Sequence, residues 1–324
     1  MPFHVTSGVL STVALCMIES ESALSSPSAS PSHVFGLRPI FSFTLHLRLL
    51  PPWGSNMSQP RPTGSVSFSN TGRVVLVSGG GSGIGRAICE AFAATGGKVV
   101  ALDVDAAAAG ELPRGIEFIQ GDVSREEDCA RGVAEAVSRH GGLDILVNNA
   151  AIQPPSSYVR VDELPAELWE RMVGVNLSGY TFLAKHALRQ MRMQQSGVVI
   201  NLASGQGHRT ARGVPAYGPL KAANILQAMQ WGVEYARDGI RVVSVSPGAI
   251  DTPLVRATLE AQGGAAKLAH RHPIGRLGRP AEVAAAVLWL ASPAASFITA
   301  TDLSVDGGLA AFGAFAEPFP ASPE

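Results

Sequence analysis

Two side chains that can perform acid–base chemistry lie four residues apart in this sequence, Tyr217 and Lys221. On a helix this spacing brings a phenol and an ammonium to one face, where the cation can stabilise a phenolate. An unperturbed phenol has a pKa of about 10, so tuning it toward 7 takes about 4 kcal/mol. Pro219 lies between them, which places both residues in the first turn of the helix. We predict an acid–base pair; the alternative is a surface helix with an ordinary aromatic residue and a solvated lysine.

A glycine-rich segment follows the first predicted strand and opens the next predicted helix. Gly79, Gly83 and Gly85 have the spacing in which missing side chains allow a tight turn, close approach of the backbone to a pyrophosphate, and close helix packing. The helix N-terminus adds N–H donors and partial positive charge. The segment predicts a dinucleotide site rather than a plain turn, and its neighbouring predicted contacts are Ser78, Ser82 and Ile84.

An aspartate about twenty residues further on indicates which dinucleotide binds. Asp103 ends the second predicted strand, where a carboxylate can accept hydrogen bonds from ribose hydroxyls and repels a 2′-phosphate. Neither Ser82 nor Val104 offers a cation to such a phosphate, so we predict NAD rather than NADP. The alternative role for Asp103 is to cap the short helix that follows. Asp122 ends the third strand, beside Val123, and is assigned to the adenine amino group, with a turn aspartate as the alternative.

Composition excludes several other classes of protein. The net charge is -1 over 324 residues, so nothing favours capture of nucleic acid or of an acidic membrane. The three cysteines show no CxxC spacing and the eight histidines no HExxH spacing, so we predict no disulfide framework and no metal site. Residues 9–18 are apolar but too few to span a bilayer. We expect a cytoplasmic protein that binds a small molecule.

The chain divides into three predicted parts. Residues 1–65 are rich in Ser and Pro and are predicted to be disordered, residues 66–312 to form a single domain, and residues 313–324 to form a tail. We expect translation to start at Met57. A targeting peptide is the alternative, weakened by Glu19 and Glu21.

Short β-branched runs alternate with helical stretches from residue 73 onward. Such runs are typical of buried parallel strands, and right-handed crossovers then give a doubly wound sheet whose ligands bind at the carboxyl ends of the strands. Ser124 and Glu127 predict a capping box for the helix that ends near residue 139. The predicted fold is a Rossmann-like α/β sandwich with a mostly parallel seven-stranded sheet. The predicted strands are 74–77, 99–102, 116–119, 145–147, 198–200, 241–245 and 302–306.

From about residue 72 to 309 the chain resembles the short-chain dehydrogenase/reductase family. The family's TGxxxGxG motif is present with Ser78 in place of threonine, and its NNAG motif as Asn148-Asn149-Ala150-Ala151. The active-site asparagine and serine of the family fall on Asn176 and Ser204, and its tyrosine and lysine on Tyr217 and Lys221. The resemblance adds cofactor contacts from Asn149 and Ala150, and from the loop that holds Pro247, Gly248, Ile250 and Thr252.

The resemblance implies a role for each of these four residues. Ser204 would hydrogen-bond the substrate oxygen, Tyr217 would remove the hydroxyl proton, and Lys221 would keep the phenolate available and hold the nicotinamide ribose. Asn176 would hold a water that passes the proton outward. Taken alone, Ser204 can equally cap a turn and Asn176 can be a buried helix asparagine tied to the backbone.

The substrate and the partners are less well defined by the sequence. We expect a secondary alcohol or ketone and a homotetramer or homodimer, as the family implies. An NADPH-dependent ketone or 3-oxoacyl thioester reductase and a non-catalytic NAD-binding protein are the rival hypotheses. Arg209 and Arg212 would suit an acidic substrate unless they are solvated. The predicted pocket residues are Gln153, Gln206, His208, Val214 and the segment 250–275.

Overall fold

The computed structural model describes residues 66–260 and 262–313. The predicted disordered extension with its start at Met57 lies outside the described residues, as does the predicted tail apart from residue 313. Within the described residues the strands β1 to β7 are Val74–Ser78, Lys98–Asp103, Ile116–Gln120, Ile145–Asn148, Gly197–Leu202, Ile240–Pro247 and Asp302–Val305. The α-helices α1 to α8 are Gly83–Ala94, Glu126–His140, Ala166–Val173, Gly179–Gln194, Tyr217–Tyr235, Pro253–Arg256, Ala265–His270 and Pro280–Ala291.

The strands form one sheet in the order β3-β2-β1-β4-β5-β6-β7, and every neighbouring pair is parallel. The predicted doubly wound α/β fold is therefore confirmed, with each predicted strand at its place. The chain order reverses between β1 and β4, and this reversal opens a crevice at the carboxyl ends of the strands.

Helices cover both faces of the sheet, which explains why the strands are continuous apolar runs. All five residues of β1 and all six of β5 are buried. One face packs against α1 and α8, and the opposite face against α2, α4 and α5. Cys89 and Cys129 are free thiols buried in these two layers, and burial raises the pKa of each to about 12.

The helix α5 approaches the strand layer closely at Gly232. A Cβ added there would lie 2.6 Å from the Ala300 nitrogen and 2.8 Å from the Val242 carbonyl oxygen. The turn at Ala300 has a φ of 54°, which alanine rarely adopts. The fit of α5 against this turn therefore depends on the missing side chain.

Two arginines bind the C-terminal end of α8 from the strand layer. Arg73 donates from Nη1 to the Ala291 carbonyl at 2.7 Å, and Arg241 donates from Nη2 to the Leu290 carbonyl at 2.7 Å. Cations are favourable here because the last carbonyls of a helix have no partner within the helix. Burial is the main cause that lowers the pKa of both guanidinium groups.

The predicted capping box at Ser124 and Glu127 is wrong. The Ser124 Oγ donates instead to the Asp122 Oδ1 at 2.7 Å, and α2 begins two residues later with Arg125 as its N-cap. The serine is used by a local turn, since short polar side chains compete for such bonds outside helices.

No helix in residues 66–260 and 262–313 is both long and apolar enough to cross a bilayer.

Candidate active site

A cavity of about 340 Å³ opens at the carboxyl ends of β1, β2, β4, β5 and β6. It brings together most of the predicted cofactor residues and the predicted acid–base pair. Those that line it are Gly79, Ser82, Gly83, Ile84, Asp103, Asp122, Val123, Asn149, Ala150, Tyr217, Lys221, Pro247 and Thr252. The predicted residues Ser78, Gly85, Asn176, Ser204, Gly248 and Ile250 are not among its lining residues.

The glycine turn has the geometry that its sequence predicts. Gly79 and Gly83 have φ values of 62° and 53°, in the left-handed region that favours glycine. A Cβ added to Gly85 would collide with the Gly79 carbonyl. Ser82 is the N-cap residue of α1, and its hydroxyl makes no capping bond. The turn therefore leaves the first N–H groups of α1 beside the cavity.

Ser78 and Asn149 hold the glycine turn in place through hydrogen bonds. The Ser78 Oγ accepts from the Asn149 backbone N at 2.9 Å, and from the Ala150 N at 3.2 Å. The Asn149 side chain donates from Nδ2 to the Ser78 carbonyl at 2.9 Å and to the Gly79 carbonyl at 3.1 Å. Ser78 thus joins the ends of β1 and β4 and is buried, so its hydroxyl supports the site without lining it.

Asp103 holds the same turn from the side. Its Oδ2 accepts from the Gly81 N at 2.9 Å, and its Oδ1 accepts from the Asp105 N at 3.1 Å. The alternative role as a helix cap belongs to Asp105, whose Oδ1 accepts from the Ala107 N at 2.9 Å. Asp103 therefore presents a negative charge to the cavity beside the glycine turn.

Asp122 and Val123 form the wall next to Asp103. The Asp122 Oδ1 accepts from the Ser124 N at 2.9 Å, as well as from its hydroxyl, which is the geometry of a turn aspartate. Val123 is buried and contributes an apolar surface. This surface and the glycine turn line the same cavity.

The residues present fit a dinucleotide. Gly79 and Gly83 line the cavity in left-handed conformations without side chains, the N-terminus of α1 favours an anion, and Asp103 offers acceptors for hydroxyl groups.

Tyr217 begins α5, and Pro219 lies in the first turn as predicted. The phenol is buried, and burial raises its pKa above the ordinary value of a tyrosine, with a smaller contribution from Tyr158. The Ser204 hydroxyl opposes that rise. Ser204 also accepts from the Gln206 N at 3.1 Å, so it caps a turn and lies near the phenol at the same time.

Lys221 is 1% exposed and sits between two aromatic rings. Its Nζ donates to the Tyr180 hydroxyl at 2.9 Å and to the Leu202 carbonyl at 2.7 Å, and lies 5.6 Å from the centre of the Tyr217 ring. Burial lowers the pKa of Lys221 to about 7. The ammonium therefore stands over the Tyr217 ring, while its described hydrogen bonds go elsewhere.

Tyr180 is a site residue that the sequence analysis missed. Tyr180 is 1% exposed, and its hydroxyl donates to the Leu202 carbonyl at 2.8 Å. Because Lys221 donates to the same carbonyl and to the Tyr180 hydroxyl, the three groups form a triangle of hydrogen bonds. The one available signal is its spacing, because Tyr180 follows Asn176 by four residues and therefore lies on the same helix face.

Asn176 is buried in a π-helical segment, Gly174–Ser178, between α3 and α4. Its Oδ1 accepts from the Ile152 N at 2.8 Å, and its Nδ2 donates to the Ile152 carbonyl at 2.8 Å. Its own carbonyl accepts from the Asn224 side chain at 3.0 Å. π-Helical turns are frequent at functional sites, and this one fixes the loop after β4.

The loop after β6 divides between two cavities. Pro247 and Thr252 line the first cavity, whereas Gly248 and Ile250 line a second one of about 320 Å³. The Ile250 side chain is buried in the core, and its carbonyl accepts from the Thr252 hydroxyl at 3.3 Å. Thr252 is also the N-cap of α6.

The predicted pocket residues differ in their surroundings. Val214 packs beside Tyr217, and the Oε1 atom of Gln206 is buried without a hydrogen bond to a described residue. His208 pairs with Asp302 at 2.8 Å, as a loop residue. Arg209 donates to the Phe312 carbonyl, and Arg212 is exposed.

No three His, Cys, Asp or Glu side chains of the described ranges gather closely enough to hold a metal ion.

Comparison with known proteins agrees with this geometry. A family model described as enoyl-(acyl carrier protein) reductase matches residues 79–310. Cis-4-hydroxycyclohexanecarboxylate dehydrogenase of Sinomonas cyclohexanicum is 39% identical over 246 residues, which are 74% of this chain and 97% of that protein.

Two solved structures have the same fold. The ligand-free aldohexose dehydrogenase of Thermoplasma acidophilum matches with a TM-score of 0.72 and 34% identity, over 78% of this chain and all of that one. The 3-ketoacyl-(acyl-carrier-protein) reductase of Brucella melitensis, complexed with NADH, matches with a TM-score of 0.70 and 32% identity, over 75% of this chain and all of that one. The chain belongs to the short-chain dehydrogenase/reductase family of NAD(P)-dependent oxidoreductases.

Proposed function

We propose that this enzyme transfers a hydride between NAD and a small secondary alcohol or ketone, with Tyr217 as the acid–base group. The observation that carries the proposal is that Tyr217 and Lys221 line the same cavity as the glycine turn and Asp103. An acid–base group and a dinucleotide cradle in one cavity are the parts that such a reaction requires.

Tyr217 and Ser204 act on the hydroxyl group of the alcohol. When bound, the oxidised cofactor would supply the acceptor for the hydride that leaves as the carbinol C–H bond breaks. The hydroxyl proton goes to the Tyr217 oxygen, and a carbonyl group forms. The Ser204 hydroxyl, next to the phenol, holds the substrate oxygen in line.

Lys221 makes the phenolate accessible near neutral pH. Burial raises the pKa of Tyr217, so the phenol needs a nearby positive charge to ionise. A protonated Lys221 stands 5.6 Å from the centre of its ring and has a third N–H beyond the two that bind Tyr180 and Leu202. We assign that N–H to the cofactor ribose.

Asn176 positions the wall of the cavity through its hydrogen bonds to Ile152. Both ends of its amide bind the Ile152 backbone, so it positions the loop after β4 beside the cavity. The proposed relay water would bind at its carbonyl, which also accepts from the Asn224 side chain.

Replacing Tyr217 by Phe tests the function. We expect kcat for alcohol oxidation with NAD to fall by at least about a thousandfold, because the variant keeps the ring but has no proton acceptor. The Kd for NADH, measured by nucleotide fluorescence, should change little. Tyr235→Phe, which removes the same atom at the other end of α5, is the matched control.

Substantial turnover by Tyr217→Phe would contradict the role of the phenol. A lost affinity for NADH would instead indicate that the substitution damages the cavity.

The cofactor proposed is NAD. Asp103 supports it, because its carboxylate beside the glycine turn repels a 2′-phosphate. The rival is an NADPH-dependent ketone or 3-oxoacyl thioester reductase; the Brucella neighbour is a 3-ketoacyl reductase, but its structure holds NADH. Comparison of kcat/KM with the four nicotinamide nucleotides, on alcohols, ketones and an acetoacetyl thioester, distinguishes the two.

We also propose a homotetramer or homodimer in the cytoplasm. Leu226 and Val233 support assembly, since both side chains are mostly exposed and lie two turns apart on α5. The buried free thiols of Cys89 and Cys129 suit a reducing compartment. Cell fractionation tests the location.

A further inference from the structure

Two polar atoms near Tyr217 are buried without a well-formed hydrogen bond to any described residue. They are the Nε2 atom of Gln153 and the hydroxyl of Tyr158. Gln153 as a whole is only 7% exposed. Because a buried polar group without a partner costs about 1–3 kcal/mol, such groups are retained where a ligand completes them.

Both residues are held in place by the site itself. Gln153 follows Ile152, whose backbone N and carbonyl are fixed by Asn176 and whose side chain lines the cavity. Tyr158 packs against the cluster of buried residues that contains Tyr217. It also lies close enough to Tyr217 to contribute to the raised pKa of that phenol. Gln153 therefore follows a residue that lines the cavity, and Tyr158 lies beside the acid–base group, although neither is itself among the lining residues.

The side chains that act on the pKa of Tyr158 are neutral. Burial raises its pKa, and the groups that oppose the rise are the Thr258 hydroxyl and the Gln153 amide, without any ionised side chain. Thr258 already donates to carbonyls of its own turn, at 3.0 Å to Val255, and accepts from Gln262 at 2.7 Å. Gln153 and Tyr158 are thus left to bind an uncharged oxygen.

We propose that Gln153 and Tyr158 form a recognition site for a second hydroxyl group of the substrate, so that the preferred substrates are diols or polyols rather than simple alcohols. Gln153 donates an N–H to that oxygen, and the Tyr158 hydroxyl donates or accepts. The inference rests on the proposed oxidation of alcohols at Tyr217. Both residues determine specificity and take no part in the proton transfer.

The test compares cyclohexanol with the 1,2-, 1,3- and 1,4-cyclohexanediols, with NAD as the cofactor. In the unmodified enzyme we expect at least one diol to exceed cyclohexanol in kcat/KM by about tenfold or more. Tyr158→Phe and Gln153→Met should each reduce this ratio by about tenfold. Tyr235→Phe, the matched control at the end of α5, should leave the ratio unchanged.

A thermal measurement separates recognition from support of the fold. Tyr158→Phe deletes a hydroxyl that makes no well-formed hydrogen bond, so the melting temperature should stay the same or rise. A fall of several degrees would mean that the hydroxyl bonds within the protein, which would overturn the inference. A ratio that is equal in the variants and the unmodified enzyme would also overturn it.

The two proposals fail in different ways. If no alcohol of the panel is oxidised, the proposed function fails and the inference fails with it. If cyclohexanol and every diol are oxidised equally well, the function stands and the inference falls.

Discussion

A lysine buried between two tyrosines carries a measurable cost in stability. Burial lowers the pKa of Lys221 to about 7 in the folded protein, whereas a lysine in the unfolded chain has its usual value near 10.4. Between these values the unfolded chain binds more protons than the folded one. The free energy of unfolding therefore decreases as the pH falls from about 10 to about 7, and this contribution is constant below 7.

Lys221→Met should reveal this cost. We expect the variant to gain stability relative to the unmodified protein as the pH is lowered from 9.5 to 7, with no further gain at pH 6. Urea unfolding at these three pH values measures the difference. Lys98→Met, at an exposed position in β2, is the matched control. A stability difference for Lys221→Met that does not vary with pH would contradict the lowered pKa of the buried lysine.

A second change of one residue tests the cofactor assignment. Asp103→Asn keeps an oxygen that can accept from the Gly81 N and removes the negative charge. Because the charge no longer repels a 2′-phosphate, we expect the NADP/NAD ratio of kcat/KM to rise by at least about tenfold. Asp105→Asn, two residues on at the cap of the next helix, should leave the ratio unchanged. A constant ratio in Asp103→Asn would assign the preference to another residue.

Much of the site was predictable residue by residue, because its chemistry requires particular residue types at fixed spacing. The glycine turn, Asp103, Tyr217 and Lys221 meet in one cavity. Ser78 was predicted as a contact, but its hydroxyl joins two strands below the turn. The triangle that includes Tyr180 depends on contacts between α4, β5 and α5, and such contacts leave almost no mark on local sequence.

At the scale of elements, buried strands were the easiest part to predict. Parallel strands covered on both faces are continuous β-branched runs, so each of the seven was found within a few residues of its observed bounds. The start of α2 was mispredicted because Ser124 bonds backward to Asp122. The π-helical segment at Asn176 is stabilised by a hydrogen bond to Ile152, which is far away in the sequence. The spacing of apolar residues therefore does not reveal this segment.

The packing of α5 against the strands gives a prediction at this scale. Gly232→Ala should lower the free energy of unfolding by about 3 kcal/mol, because the methyl group would meet the backbone at Ala300 and Val242, which cannot move aside as a side chain can. Urea unfolding checks this. Gly110→Ala is the matched control, since nothing lies within 4 Å of a Cβ there. Equal stability of the two variants would disprove the close fit.

At the scale of the whole molecule, the exposed apolar stripe of α5 is the proposed subunit contact. Leu226 is 66% and Val233 73% exposed. We expect the double variant Leu226→Glu, Val233→Glu to dissociate into smaller species, because two charges would be buried without partners. Size-exclusion chromatography with light scattering gives the mass. Val161→Glu, at a comparably exposed position, should leave the mass unchanged.

A monomeric unmodified protein, or a double variant of unchanged mass, would contradict assembly through α5.

The arginines that bind the end of α8 have a consequence for the molecule as a whole. Arg73 precedes β1 and Arg241 lies at the start of β6. Both therefore bind α8 at the amino ends of the strands, whereas the cavity lies at their carboxyl ends. The bonds that hold α8 and the residues that line the cavity therefore lie at opposite ends of the same strands. In laboratory evolution, substitutions that stabilise the protein at the amino ends can therefore be combined with substitutions that change substrate selectivity at the carboxyl ends.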